Sequence, residues 1–198
     1  RITKCAEFNE QYVSVYKYKK KNLYNANDDY DVFISGADII WNLEATGYDF
    51  SYFLDFCVAN KKKISYSSSA DGIWDIKDRQ SVERHLKLYH HLSSRESDTA
   101  RFIEDEFGLE CQYTPDPTIL LTPEEWKEFV KPVLEKNYVL VYFPYKEILN
   151  AALKYARIHN LRLLIISDDL KIRNRYAKTI YSPDEWLSYI YYANAVFT

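Results

Sequence analysis

The chain has 198 residues, of which 47% are apolar, 17% aromatic and 28% charged, with a formal charge of −3. That length and apolar content suffice for one large domain or two small ones, and the slight acidity gives no sign of a general affinity for nucleic acid or anionic lipid. Cys5, Cys57 and Cys111 are far apart, odd in number and without C-x-x-C spacing, so neither a disulfide framework nor a zinc site is indicated and a reducing, cytoplasmic setting is expected. No run has the apolar length of a bilayer span, and no signal peptide opens the chain.

Short apolar runs alternate with helical patterns along the chain. Asp31–Gly36 reads as a buried strand closing on a glycine loop, and Lys63–Ser69 as a second strand entering a serine-rich turn that ends near Gly72. Residues Ser81–Leu92 place Val82, Leu86 and Tyr89 on one helical face. A second helix after Arg95 carries Ala100, Ile103 and Phe107, with Gly108 as its C-cap. Thr122-Pro-Glu-Glu125 and Ser182-Pro-Asp-Glu185 each put a hydroxyl at N-cap, Pro at N1 and Glu at N3, two explicit helix starts. Between them lie a strand at Tyr138–Phe143, a helix at Tyr145–His159 and a strand at Leu161–Ile166. Strands that are apolar throughout suggest parallel sheets covered on both faces, so the expected class is α/β. Pro132 is expected to interrupt a helix within Thr122–Asn137, which makes that stretch the joint between two units. The expected division is 1–121, a connection at 122–137, and 138–198.

The chain contains no Met, and it ends on the apolar run Asn194–Thr198, which reads as a buried strand. It is therefore expected to be a piece of a longer protein, cut at both ends.

In α/β folds chemistry collects in the loops leaving the carboxyl ends of strands. Three such places are polar here: Gly36–Asn42, Ser67–Gly72 and Ser93–Glu96. Arg95, at a strand end or helix start, suits a phosphate or carboxylate, held bidentately beside free helical N–H groups. Equally, it suits a structural pair with Glu96 or another carboxylate. Asp38, Trp41 and Asn42 suit a sugar, two bonding hydroxyls and the indole covering a ring face. The alternative is a glycine turn in which Asp38 caps a helix and Trp41 is a core residue. His90 and His91, adjacent on a helix pattern, point apart and make a poor catalytic or metal pair. Lys61–Lys63 reads as a solvated turn, and the short Lys17–Lys21 run does not make a nucleic-acid surface in an acidic chain. There is no G-x-G-x-x-G, Walker loop, G-x-S-x-G, H-E-x-x-H or metal cluster.

Recognition adds a function. Asp31-Val-Phe-Ile-Ser-Gly-Ala-Asp-Ile-Ile-Trp-Asn42 resembles the signature of the bacterial polysaccharide pyruvyl transferase family, an apolar strand followed by Gly-Ser-Asp-x-x-Trp-Asn. The resemblance continues in order through Tyr52–Phe56, Lys63–Tyr66 and Leu92-Ser-Ser-Arg-Glu96, then Asp116–Leu121 with Trp126, Ser182–Leu187, and Ala193–Thr198. Ala37 departs from the family's serine, and Asp71 stands where an aromatic usually precedes the glycine.

The resemblance implies a GT-B-like architecture, two Rossmann-like parallel-sheet units facing a cleft. It implies transfer of a pyruvyl ketal group from phosphoenolpyruvate to a cell-surface polysaccharide or its lipid-linked precursor, without cofactor or metal. Arg95 would be the catalytic cation, while Gly36, Asp38, Trp41, Asn42, Ser69 and Glu96 would bind substrate. The family's His of Ser-Phe-His-Gly would follow Thr198, so the fragment itself is expected to be inactive. The lipid-linked acceptor allows peripheral membrane association. The alternatives are a GT-B nucleotide-sugar glycosyltransferase, which shares the architecture, and a non-catalytic homologue in glycan assembly.

Overall fold

A computed structural model describes residues 7, 10, 11, 18–166, 177, 178 and 182–198. It is a mixed α/β structure with small parallel sheets and, among the described residues, no barrel. The chain divides into two compact units, of which one is Lys17–Leu120 and the other contains Leu121–Thr198.

The first unit contains β1 (Val32–Ser35), β2 (Lys62–Ser65), helix α1 (Ile76–Leu86), β3 (Leu92–Ser94), helix α2 (Ser97–Phe107) and β4 (Cys111–Tyr113). β1 pairs with β2 and β3 with β4, both parallel, and the bridges Ile64–His91 and Ser68–Ser94 join the two pairs. The carboxyl ends of all four strands thus lie at one edge.

Local chemistry accounts for the helices. In α1 the buried Val82 and Leu86 sit one turn apart, as the sequence period requires. The helix nevertheless runs from Ile76 to Leu86 and not from Ser81 to Leu92. Leu92 instead opens β3, whose three residues are all buried. In α2, Thr99, Ala100 and Ile103 are buried, and Gly108 ends the helix at φ +65°, its N–H bonded to the Glu104 carbonyl. The core gathers Trp41, Phe53, Trp74, Val82, Leu86 and Ile103, with Phe33, Leu54 and Cys57 in a second cluster. β1 differs from the expectation of a strand covered on both faces. Phe33 and Ser35 are buried while Val32 and Ile34 are exposed, because nothing among the described residues covers that face of the edge strand.

The second unit carries helix α3 (Pro123–Lys127), β5 (Tyr138–Tyr142), helix α4 (Lys146–Ile158), β6 (Arg162–Ile166), β7 (Ala177–Lys178), helix α5 (Pro183–Tyr191) and β8 (Ala195–Phe197). Its sheet has the order β7-β6-β5-β8, parallel throughout. This is the winding of a doubly wound half: strands run outward from β5 on one side, then the chain crosses to its other side. Alternate β5 residues face opposite ways. Tyr138 and Leu140 pack towards Tyr189 and Trp186 of α5, while Val139 and Val141 pack on Ala152 and Ala156 of α4. Both hydroxyl caps form. The Thr122 hydroxyl accepts from the Glu125 N–H at 3.3 Å, and Glu125 accepts in return from the Thr122 N–H at 2.8 Å. At the other start Ser182 accepts from the Glu185 N–H at 3.4 Å. The helix expected to run to Pro132 stops at Lys127. Pro disfavours helix at the residue before it, and here the Lys131 N–H is bound by the Ser188 hydroxyl of α5 at 2.8 Å.

Candidate functional site at the carboxyl edge of the first sheet

Backbone pairing continues past the strand ends and builds the site. The Tyr66 N–H bonds the Ser35 carbonyl at 2.8 Å, and that of Ser69 bonds the Ala37 carbonyl at 3.2 Å. The Arg95 N–H bonds the Ser68 carbonyl at 3.1 Å and that of Thr114 the Ser94 carbonyl at 3.0 Å. Four loops, starting at Gly36, Tyr66, Arg95 and Thr114, are thereby laid side by side. Gly36 is there because a Cβ would run into the Tyr66 carbonyl oxygen, so its role is the close crossing of two chains.

Beneath these loops is a hydroxyl network that local sequence patterns did not reveal. Ser35, Ser65, Ser67, Ser68, Ser69, Ser93 and Ser94 are all buried, and of their hydroxyls that of Ser67 alone has no partner among the described residues. Ser93 is the hub. Its hydroxyl donates to the Ser65 carbonyl at 2.9 Å and accepts from the Ser67 N–H at 2.9 Å and the Thr114 hydroxyl at 2.9 Å. Buried hydroxyls satisfied in this way hold the strand ends in a fixed register. The Tyr89 hydroxyl, 3.1 Å from that of Ser35, is pushed up to about 12 by burial, so it stays protonated.

Arg95 stands at the centre of the edge. Its Nη1 donates to Asp116 at 3.1 Å, its Nη2 to Asp38, and its Nε lies 3.5 Å from Glu96. The Asp38 hydrogen bond comes first among the causes that raise its pKa, so the guanidinium is permanently charged. The three carboxylates are held very differently. Glu96 accepts from the Ser69 hydroxyl at 2.6 Å, the Ala70 N–H at 3.3 Å and the Ser94 hydroxyl at 3.4 Å. Asp116 accepts from the Thr118 N–H at 2.9 Å, and that backbone bond, with help from Arg95, lowers its pKa. Asp38 has Arg95 as its ion partner and its side chain is 72% exposed, against 28% for Arg95.

The structure therefore brings together Gly36, Asp38, Ser69, Arg95 and Glu96 and adds Asp116, which the sequence reading had placed only within a motif. Trp41 does not join them. It is fully buried, stacked on Phe53 at 5.8 Å and 14° and edge-on to Tyr89. An enclosed indole cannot cover a sugar ring, and the core reading of Trp41 replaces the sugar-binding one. Asn42 caps its own turn, accepting from the Ala45 N–H at 2.9 Å. It also lines a cleft of about 180 Å³ with Glu44, Asp71, Gly72 and Asp78. Ala70, whose N–H reaches Glu96, lines the same cleft.

His90 and His91 lie beyond the end of α1, not on a helix as expected, and both are exposed. The Nδ1 of His90 accepts from the Lys63 N–H at 3.1 Å, and His91 joins the backbone ladder through its carbonyl to the Ser65 N–H. Among the described residues no group of three or more His, Cys, Asp or Glu is placed to hold a metal ion, and no helix is long and apolar enough to cross a membrane.

The model of one family, polysaccharide pyruvyl transferase, matches residues 2–198. The chain belongs to the polysaccharide pyruvyl transferase family. No curated protein and no solved structure matches it. Membership makes the chain one of a transferase family of polysaccharide assembly.

Proposed function

We propose that this protein transfers a pyruvyl group from phosphoenolpyruvate to hydroxyls of a cell-surface polysaccharide or its lipid-linked precursor in the cytoplasm. The observation that carries the reading, beside family membership, is Arg95 at the carboxyl edge of a parallel sheet, bridging carboxylates from three separate loop segments. Ligands of α/β sheets collect at that edge, and a guanidinium matches both a phosphate and a carboxylate.

In the proposed reaction a sugar hydroxyl adds to C2 of phosphoenolpyruvate while the methylene carbon gains a proton. The C2–O bond to phosphate then breaks, phosphate leaving with the bonding electrons, and a neighbouring hydroxyl closes the ketal as it loses its proton. Arg95 contributes a fixed cation where charge grows on the departing phosphate, which a preorganised site stabilises more than water does. Glu96 and Asp116 orient that cation. The acceptor's hydroxyls donate to Asp38 and to the acidic cleft of Asn42, Glu44, Asp71 and Asp78. Ser69 acts through Glu96, and Gly36 through the crossing that presents Asp38. The parallel order of each unit is what a GT-B-like architecture of two Rossmann-like units would be assembled from.

The test is phosphate release from phosphoenolpyruvate by full-length protein, with and without a glycan acceptor. Release that requires the glycan supports the reading. Turnover of a uridine nucleotide-sugar with no use of phosphoenolpyruvate would make the protein a glycosyltransferase, and turnover of neither would make it a non-catalytic homologue.

A further inference from the structure

The three carboxylates around Arg95 outnumber its single charge, so an anionic donor meets a cluster that is net negative. Nε, Nη1 and Nη2 each already face a carboxylate, so two parallel N–H groups of one guanidinium edge come free for the donor most readily when one carboxylate withdraws. Glu96 is not free to do so: both its oxygens are committed, to Ser69, Ala70 and Ser94. Asp116 is tied by its second oxygen to the Thr118 N–H at 2.9 Å. Asp38 is tied to Arg95 and is 72% exposed, so it can turn into solvent at little cost.

We propose that Asp38 is a stand-in anion, holding the Nη2 edge of Arg95 until the donor's phosphate or carboxylate displaces it. This rests on the reading of Arg95 as the donor's cation. The exchange keeps the guanidinium oriented in the empty site. Once expelled, the Asp38 carboxylate is free to accept from an acceptor hydroxyl, so donor binding precedes acceptor binding. Arg95 keeps an anionic partner throughout, and the expelled Asp38 carboxylate, already 72% exposed, is solvated by water.

An occupied binding edge weakens apparent affinity in proportion to the fraction of molecules in which it is free. An ion pair of this exposure holds the edge in most molecules but not nearly all. Asp38→Asn should therefore tighten binding of inorganic phosphate and of phosphoenolpyruvate by about three- to tenfold, read by calorimetry on the full-length protein. The Asp38 side chain is bonded to Arg95 and 72% exposed, and an unchanged melting temperature verifies that the variant is folded. Asp116→Asn is the control, since it also removes one negative charge but takes away a fixed support of Arg95. Its affinity should be unchanged or weaker.

Equal tightening in both variants would reduce the effect to simple charge removal and overturn the exchange. Unchanged or weaker binding in Asp38→Asn, with wild-type binding intact, would overturn the exchange while leaving Arg95 as the donor's cation. Binding of neither anion by wild type or Asp38→Asn would overturn both.

Discussion

Trp41 offers the sharpest separation between a residue of the core and a residue of the site. Its indole is fully buried among Phe53, Trp74 and Tyr89, and the Trp74 Nε1–H donates to its carbonyl at 2.8 Å. Trp41→Ala leaves that backbone bond in place but removes the whole ring from the largest cluster of the first unit. Truncating a buried aromatic in this way costs about 3–5 kcal/mol. Small domains have only about 5–15 kcal/mol in total. The variant should lose at least about 12 °C in melting temperature, at about 4–8 °C per kcal/mol for a unit of this size. Trp41→Phe keeps the stack on Phe53 and should cost about 1–2 kcal/mol. Urea unfolding followed by far-ultraviolet circular dichroism measures both changes without relying on tryptophan emission. A loss below about 1 kcal/mol in Trp41→Ala, together with a selective fall in acceptor affinity, would refute the core assignment.

Two further variants test the scaffold under the site. Gly36→Ala puts a Cβ against the Tyr66 carbonyl oxygen, where the neighbour is backbone and has no rotamer to change. A cost of about 1–3 kcal/mol in thermal unfolding is expected, and an unchanged melting temperature would count against the tight crossing. Lys63 is 4% exposed, with no ion pair among the described residues, and burial lowers its pKa. A base whose folded pKa lies below its unfolded one is better protonated when unfolded, so stability rises with pH between the two values and the full cost is present below both. Lys63→Met should gain about 1–2 kcal/mol near neutral pH and flatten stability on the alkaline side; a destabilised variant would refute this.

Much of the second unit was legible because its signals are local. Apolar runs marked Tyr138–Tyr142 and Arg162–Ile166 as strands, and the hydroxyl, Pro and Glu of Thr122 and Ser182 wrote their own caps. Two strands of the first unit were not legible as such. Leu92–Ser94 and Cys111–Tyr113 are three residues each and largely polar, so their membership depends on neighbours far along the chain. The same distance hid the site's wiring. Arg95 stood out for its place at a strand end or helix start, yet its partners Asp38 and Asp116 lie 57 and 21 residues away. Ser93 looks like an ordinary loop residue until Ser65, Ser67 and Thr114 converge on it. Trp41 misleads for the opposite reason. A polar neighbourhood in sequence says nothing of which way an indole turns, and the apolar cluster behind the loop captures it.

The account rests most heavily on Arg95 as the cation that receives phosphoenolpyruvate, and calorimetric titration with that compound tests it directly. Full-length wild-type protein should bind it. Arg95→Gln, which keeps hydrogen-bonding capacity but not the charge, should bind at least about tenfold more weakly while remaining folded, the loss of one charge-assisted contact. Equal affinity in the two proteins would contradict the claim.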